Sequence, residues 1–231
     1  MKASLKLQLA ALLLAGWSLG CSSGPKPTAS ATPGAPTSVV SATPAATAFQ
    51  MPADWTLTKA KDGNLEMALP NTWVVADGND PKFTNAVKDL QKSNPQLANI
   101  KNSGYYFMAI DTKTKDAFND NVNVVQKHLP QTLPINDDSA QQLKGEFKKM
   151  MPLDGDLDIK VTRIPHGDAF RYTAVLNFNK PDGSKFQTYI VGHILFQGTD
   201  LYTITFSSTP NNKVGIEKIA DDAMKSMKLS S

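Results

Sequence analysis

The chain has 231 residues, with 24 Lys and Arg against 21 Asp and Glu, 41% hydrophobic residues and a single cysteine. Setting aside Lys2, Lys6 and Lys26 leaves 21 basic residues from position 51 onward, against the 21 acidic residues, all of which lie there. This neutral body lacks the surplus that a nucleic-acid face or a polybasic lipid patch leaves, and one cysteine rules out an internal disulfide framework.

Lys2 and Lys6 precede an apolar stretch from Leu7 to Trp17, which stops before Gly20 and Cys21. A membrane-spanning helix needs about 20 apolar residues, roughly twice this run, so residues 1–20 read as a cleaved export signal. Ser18-Leu19-Gly20-Cys21 resembles the lipobox of bacterial lipoproteins, with Ser18 where that pattern usually has leucine. The resemblance implies cleavage before Cys21 and a diacylglyceryl group on its thiol. Several acyl chains hold firmly, because each buried methylene contributes about 0.8 kcal/mol. Ser22 stands where lipoproteins kept in an inner membrane often carry Asp, which implies the periplasmic side of an outer membrane if the cell has one.

Residues 21–50 are almost wholly Ser, Thr, Ala, Pro and Gly beyond the cysteine, with Val39 and Val40 as the bulky apolar exceptions in its middle. Such a segment buries too little surface to offset its ordering entropy and is expected to be a disordered tether. At about 3.1 Å per residue its contour approaches roughly 90 Å, and its coil-like average is near 30 Å. Residues 51–231 are then one folded domain, expected to be monomeric.

That domain opens with the alternating run Leu65-Glu66-Met67-Ala68-Leu69, then Pro70-Asn71-Thr72-Trp73 and a short run to Val75. Asp80-Pro81 predicts a helix start, with Phe83, Ala86, Val87 and Leu90 on one face, stopped or restarted at Pro95 before Leu97 and Ile100. Residues 105–110 are apolar at every position but for two tyrosine hydroxyls, which suits a strand covered on both faces, with Val122 to Val125 as its neighbour. Ser139 with Gln142 reads as a capping box opening a helix whose Ala140, Leu143, Phe147 and Met150 share a side. Gly145 weakens that helix by about 1 kcal/mol relative to alanine.

Four strands follow, around Leu157-Ile159-Val161, Phe170 to Phe178, Phe186 to Phe196 and Leu201 to Phe206. Pro181-Asp182-Gly183 and Gly198-Thr199-Asp200 turn between them, giving an antiparallel meander. The last segment places Ile216, Ile219, Ala220, Ala223, Met224 and Met227 at helical spacing, while Glu217, Lys218, Asp221, Asp222 and Lys225 face away. Its stripe is expected to cover the sheet.

The run from Leu65 to Trp73, the stretch Gly198 to Phe206 and Met224-Lys225-Ser226-Met227-Lys228 together resemble the family that unites the photosystem II extrinsic protein PsbP with bacterial DcrB-like lipoproteins. The resemblance covers residues 54–229. It implies an α+β fold, an antiparallel β-sheet flanked by helices in an α/β/α sandwich. It also implies a binding, assembly or accessory role, with no catalytic residue and no cofactor to carry over.

Other candidate sites compete with plainer readings. Asp154-Gly155-Asp156-Leu157-Asp158 has the carboxylate spacing of a calcium loop, but Ile159 and Pro165 stand where its glycine and closing glutamate belong, so an acidic turn is the better account. His166 with Asp168 are the candidate metal ligands at a hairpin tip, in line with metal binding by some PsbP proteins, but a turn that merely solvates both is the plainer reading. His193 shares a strand side with Tyr189, Val191 and Leu195, which suits a hydrogen-bonded, partly buried histidine. Trp55, Trp73, Tyr105 and Tyr106 could line a cleft or fill the core. No serine sits in a Gly-x-Ser-x-Gly turn and no glycine loop cradles phosphate. The expected function is therefore a non-catalytic, lipid-anchored accessory protein for an envelope or membrane protein complex. The alternative is a small-molecule or metal-binding domain for Ca, Zn or Mn, with a photosystem role in a photosynthetic host.

Overall fold

A computed structural model describes residues 49–60, 62–75, 106–113, 119–129, 132, 134–179 and 183–230. The signal, Cys21, all but the last two tether residues, the helix expected from Asp80 and Tyr105 lie outside them. The described elements are β1 (Trp55–Lys59), β2 (Leu65–Pro70), β3 (Trp73–Val75), β4 (Phe107–Asp111), β5 (Asn121–His128) and α1 (Asp137–Met150). They continue with β6 (Asp158–Ile164), β7 (Gly167–Asn179), β8 (Lys185–Gln197), β9 (Asp200–Ser208), a 3-10 turn (Pro210–Asn212), α2 (Lys213–Ser226) and β10 (Lys228–Leu229).

Strands β6 to β9 form the expected meander, each antiparallel to the next, and the β4–β5 pairing is also as expected. The two hairpin halves join where β5 pairs with β9, giving a seven-stranded sheet in the order β3-β4-β5-β9-β8-β7-β6. Pro70 closes β2, so the opening run divides: β2 lies in a separate three-stranded sheet, β1-β2-β10, while β3 crosses to the edge of the large one.

Alternation along the strands gives the large sheet two apolar faces. On the first, Phe170, Tyr172, Leu176 and Phe178 of β7 meet Ile190 and Ile194 of β8, under Ala140 and Phe147 of α1. On the second, Val122, Val124, Tyr189, Val191, Ile204 and Phe206 lie under Ile216, Ala220, Ala223 and Met224 of α2 and under Leu65, Met67 and Leu69 of β2. The α/β/α expectation therefore holds only in part. The molecule is an antiparallel β assembly with two described helices, and the small sheet shares the second face with α2.

The capping box at Ser139 is corrected by one turn. Asn136 is the N-cap, and its side-chain oxygen accepts from the Ser139 N–H at 2.9 Å. Asn136 precedes Asp137 and Asp138, so both carboxylates sit at the positive end of the helix, where the macrodipole favours them. Phe147 packs edge-on against Tyr172, with ring centroids 5.3 Å apart, and this contact seats α1 on the first face.

Tyr172 crosses the neighbouring strand to do so. It is opposite Gly192 in register, and its hydroxyl shares a 2.9 Å hydrogen bond with Thr205 Oγ1 on β9. Only the missing side chain at Gly192 makes this path available: a Cβ there would lie 1.9 Å from Tyr172 Cζ. Complete burial pushes the Tyr172 phenol up to about 12, so it remains a neutral hydroxyl at any ordinary pH.

Gly192→Ala is expected to destabilise the fold by about 3 kcal/mol, the upper range for overpacking a filled core. The loss should shrink when Tyr172 is shortened to Leu in the same chain. Urea unfolding of the three variants checks both statements.

Candidate functional site

A set of interacting polar groups lies between β7, β8 and α2. Phe170 and Tyr172 point to the first face, so Arg171 points to the second, beneath α2. Its Nε donates to Asp221 Oδ1 at 3.2 Å and its Nη2 to Glu217 Oε2 at 3.3 Å. The Tyr189 hydroxyl donates to the other oxygen of Glu217, and Lys213 Nζ stands 5.2 Å from the centre of the Tyr189 ring. Glu217 and Asp221 are four residues apart and hence on one helical stripe, which lets a single guanidinium reach both.

This corrects the expectation that both carboxylates face away. Burial opposes ionisation of Glu217, but the Tyr189 hydroxyl and Arg171 outweigh it and hold its carboxyl below the usual range. Burial raises the Tyr189 phenol, and its hydrogen bond to Glu217 raises it further. Both groups therefore stay fixed, one charged and one neutral.

Each end of α2 is also tied down. Before it, Asp120 accepts from the Ser208 hydroxyl at 2.5 Å and from Asn212 Nδ2 at 2.7 Å, binding the 3-10 turn to the sheet. In its last turn, Ser226 Oγ accepts from the Ala68 N–H at 2.8 Å and donates to the Ala223 carbonyl at 2.7 Å. His166 Nε2 donates to the carbonyl of Met227 at 2.7 Å, capping the helix end from the β6–β7 turn.

His166 thus spends its Nε2 on α2, and Asp168 pairs with Arg163 Nη1 at 2.8 Å. The structure brings these two expected metal ligands to one turn but gives each a different partner. Among the described residues, no group of three or more His, Cys, Asp or Glu is placed to hold a metal ion. In the acidic turn, Asp154 Oδ2 accepts from Gln187, and Leu157 is fully buried at the entrance to β6. Trp55 and Trp73 are buried in the second-face core, Trp73 lying 6.4 Å from the Phe206 ring, while Tyr106 is half-buried and donates to Asp62 at 2.9 Å.

His193 lies where its strand pattern places it, opposite Arg171 and Ile204 in register, but is only 2% exposed. Its Nδ1 has no hydrogen-bond partner among the described residues. Burial, with some repulsion from Arg171, pulls its imidazole down to about 3. The sequence signals for Arg171 and its carboxylates were the inward strand position and the spacing of Glu217 and Asp221; nothing local marked Asp120, whose partners lie 88 and 92 residues away.

No protein-family model matches the chain, and no curated protein matches it. Among solved structures, the chain is similar to cyanobacterial PsbP (CyanoP) from Synechocystis, at 12% identity over 82% of this chain and 98% of that one, with a TM-score of 0.49. It is similar to LpqN, involved in cell envelope biogenesis of Mycobacterium tuberculosis, at 11% identity over 77% and 91% of the two chains, with a TM-score of 0.45. It is also similar to the Ran-binding protein Mog1p of Saccharomyces cerevisiae, at 8% identity over 76% and 95%, with a TM-score of 0.45. The first bears the family name that the sequence resembles. At these identities no residue role passes from any of them to this chain.

Arg171→Ala is expected to cost about 1–3 kcal/mol, because it leaves two carboxylates at the sheet without their cation, and Arg171→Lys should recover only part of this. Thermal unfolding of both variants measures the difference. His193 gives a separate pH signature. Its folded value lies below the ordinary 6.5, so the unfolded chain takes up a proton that the folded one refuses, and stability falls as pH drops from 6.5 toward 3. Glu217 is depressed as well, so its contribution is complete above its ordinary 4.5 and is lost only on further acidification. His193→Leu is expected to flatten the stability curve between pH 6.5 and 4.5 and to keep the loss below it, as followed by urea midpoints across pH.

Proposed function

We propose that this protein is a non-catalytic accessory lipoprotein of the bacterial envelope. Acylation of Cys21 holds it to a membrane on the extracytoplasmic face, the periplasmic side of the outer membrane where there is one. Residues 21–50 let the folded domain work up to roughly 90 Å from the lipid surface, and the domain binds or helps to assemble an envelope or membrane protein complex.

The observation that carries this reading is the order of segments before residue 51: charged start, short apolar run, lipobox-like Ser18-Leu19-Gly20-Cys21, then an almost uncharged tether. A binding role is also supported by how the domain uses its polar groups. Arg171, Glu217, Asp221, Tyr189, Asp120 and His166 are committed to holding α2 on the sheet, a framework that presents a fixed surface. No helix among the described residues is long and apolar enough to cross a membrane, and Cys21 would supply the attachment.

The test uses the full chain expressed in its bacterial host with an alkyne fatty acid. Wild type is expected to incorporate the label into the membrane fraction, and Cys21→Ser to accumulate as unlabelled precursor. Crosslinking in intact cells should then join the wild type to a defined membrane or envelope protein identified by mass spectrometry. A chain lacking residues 27–46 should lose that product while still taking the label. Recovery of unlipidated mature protein from the cytosol would sink the proposal.

A further inference from the structure

The first face of the large sheet carries an unusual strip. Along β5 and β9 its inward positions include Asn121, Asn123, Thr203, Thr205 and Ser207, joined by Thr188 of β8, and all six are buried. Several make hydrogen bonds within the fold. Thr205 Oγ1 meets the Tyr172 hydroxyl, Thr188 Oγ1 donates to the Ser208 carbonyl at 2.9 Å, and Asn123 Nδ2 donates to the Thr205 carbonyl at 3.3 Å.

Asn121 and Ser207 form an opposed pair within this strip. Both are wholly inaccessible, and Asn121 Oδ1 and Ser207 Oγ have no hydrogen-bond partner among the described residues. The orientation of the amide is determined, because Asn121 Nδ2 donates to the Asn119 carbonyl at 3.2 Å and that carbonyl can only accept. Oδ1 is therefore the atom turned away. Opposed residues in an antiparallel pair have Cα atoms about 4.5–5.5 Å apart, so one small molecule can touch both orphaned atoms.

The surroundings define the chemistry of such a guest. In the same cross-strand row Ile110 lies beside Asn121 and Ile190 beside Ser207, so apolar side chains flank the pair across the strands. The adjacent row reads Met108, Asn123, Thr205, Gly192, Tyr172 and brings no charged side chain. An ion would find no counter-charge in either row, whereas a hydroxyl can donate to the amide oxygen and exchange a bond with the serine.

We propose that Asn121 Oδ1 and Ser207 Oγ together hold a neutral, hydroxyl-bearing guest inside the sheet face, either an internal water or a small hydroxylic ligand. The mature full-length chain, purified in detergent, is examined in two ways. Water-to-protein cross-relaxation in NMR is expected to show a long-lived water at the Asn121 side-chain amide if the guest is solvent. Native mass spectrometry of host-purified protein is expected to show a neutral mass increment, lost on unfolding and refolding in clean buffer, if it is a ligand. Ser207→Ala should shorten the residence of either guest at least tenfold. Absence of both signals from the wild-type chain overturns the assignment, whether or not the variant folds, and so does a residence unchanged in Ser207→Ala.

Discussion

At Gly192 the backbone of β8 carries no side chain, and the ring of Tyr172 occupies the space this leaves. Through that gap the phenol reaches Thr205 on β9, so one residue ties three strands together on their first face. The ring also receives Phe147 of α1. The seating of the first helix and the spacing of the central strands thus depend on a contact that a single added methyl group would prevent. Burial keeps the hydroxyl neutral, which secures the contact against changes in pH.

The opposite face is assembled by different means. There the helix is held less by one ring than by polar clamps along its length: Asp120 with Asn212 before it, Arg171 at its middle, and Ser226 and the His166 imidazole at its end. An apolar stripe alone leaves a helix free to slide and rotate on a sheet, because burial has no direction. Directional bonds from Arg171 to two carboxylates one turn apart set the register. The small sheet gains from this, since Ser226 binds the Ala68 backbone and β10 follows immediately to pair with β2.

Much of the secondary structure was legible in the sequence because it is written in local periodicity. The meander from Asp158 to Ser208 alternates strictly where one face is flanked by polar positions, and Ile216 to Met224 keep helical spacing. The expected site residues fared differently. His166 and Asp168 are two positions apart, yet their partners are Met227 and Arg163, and no feature of the turn foretold the first of these. Asn136 displaced Ser139 as the cap because both residue types suit that position and only the backbone path decides between them. The division of the opening run between two sheets was hidden for a similar reason, since Pro70 marks an end but carries no information about where the chain goes next.

The sequence by itself determined the neutral charge of the folded part, the alternation that makes each strand two-faced and the amphipathic stripe of the last helix. These depend on side chains within a few residues of one another, and hydrophobic spacing records them directly. Tertiary structure alone decided that β5 joins β9, that β2 and β10 build a second sheet, that Tyr172 passes over Gly192 and that Asn121 faces Ser207. The β5–β9, β2–β10 and Asn121–Ser207 pairs bring together residues far apart along the chain, where no local pattern specifies the partner strand, and within the β7–β8 hairpin only the three-dimensional packing carries the Tyr172 ring past Gly192 to Thr205.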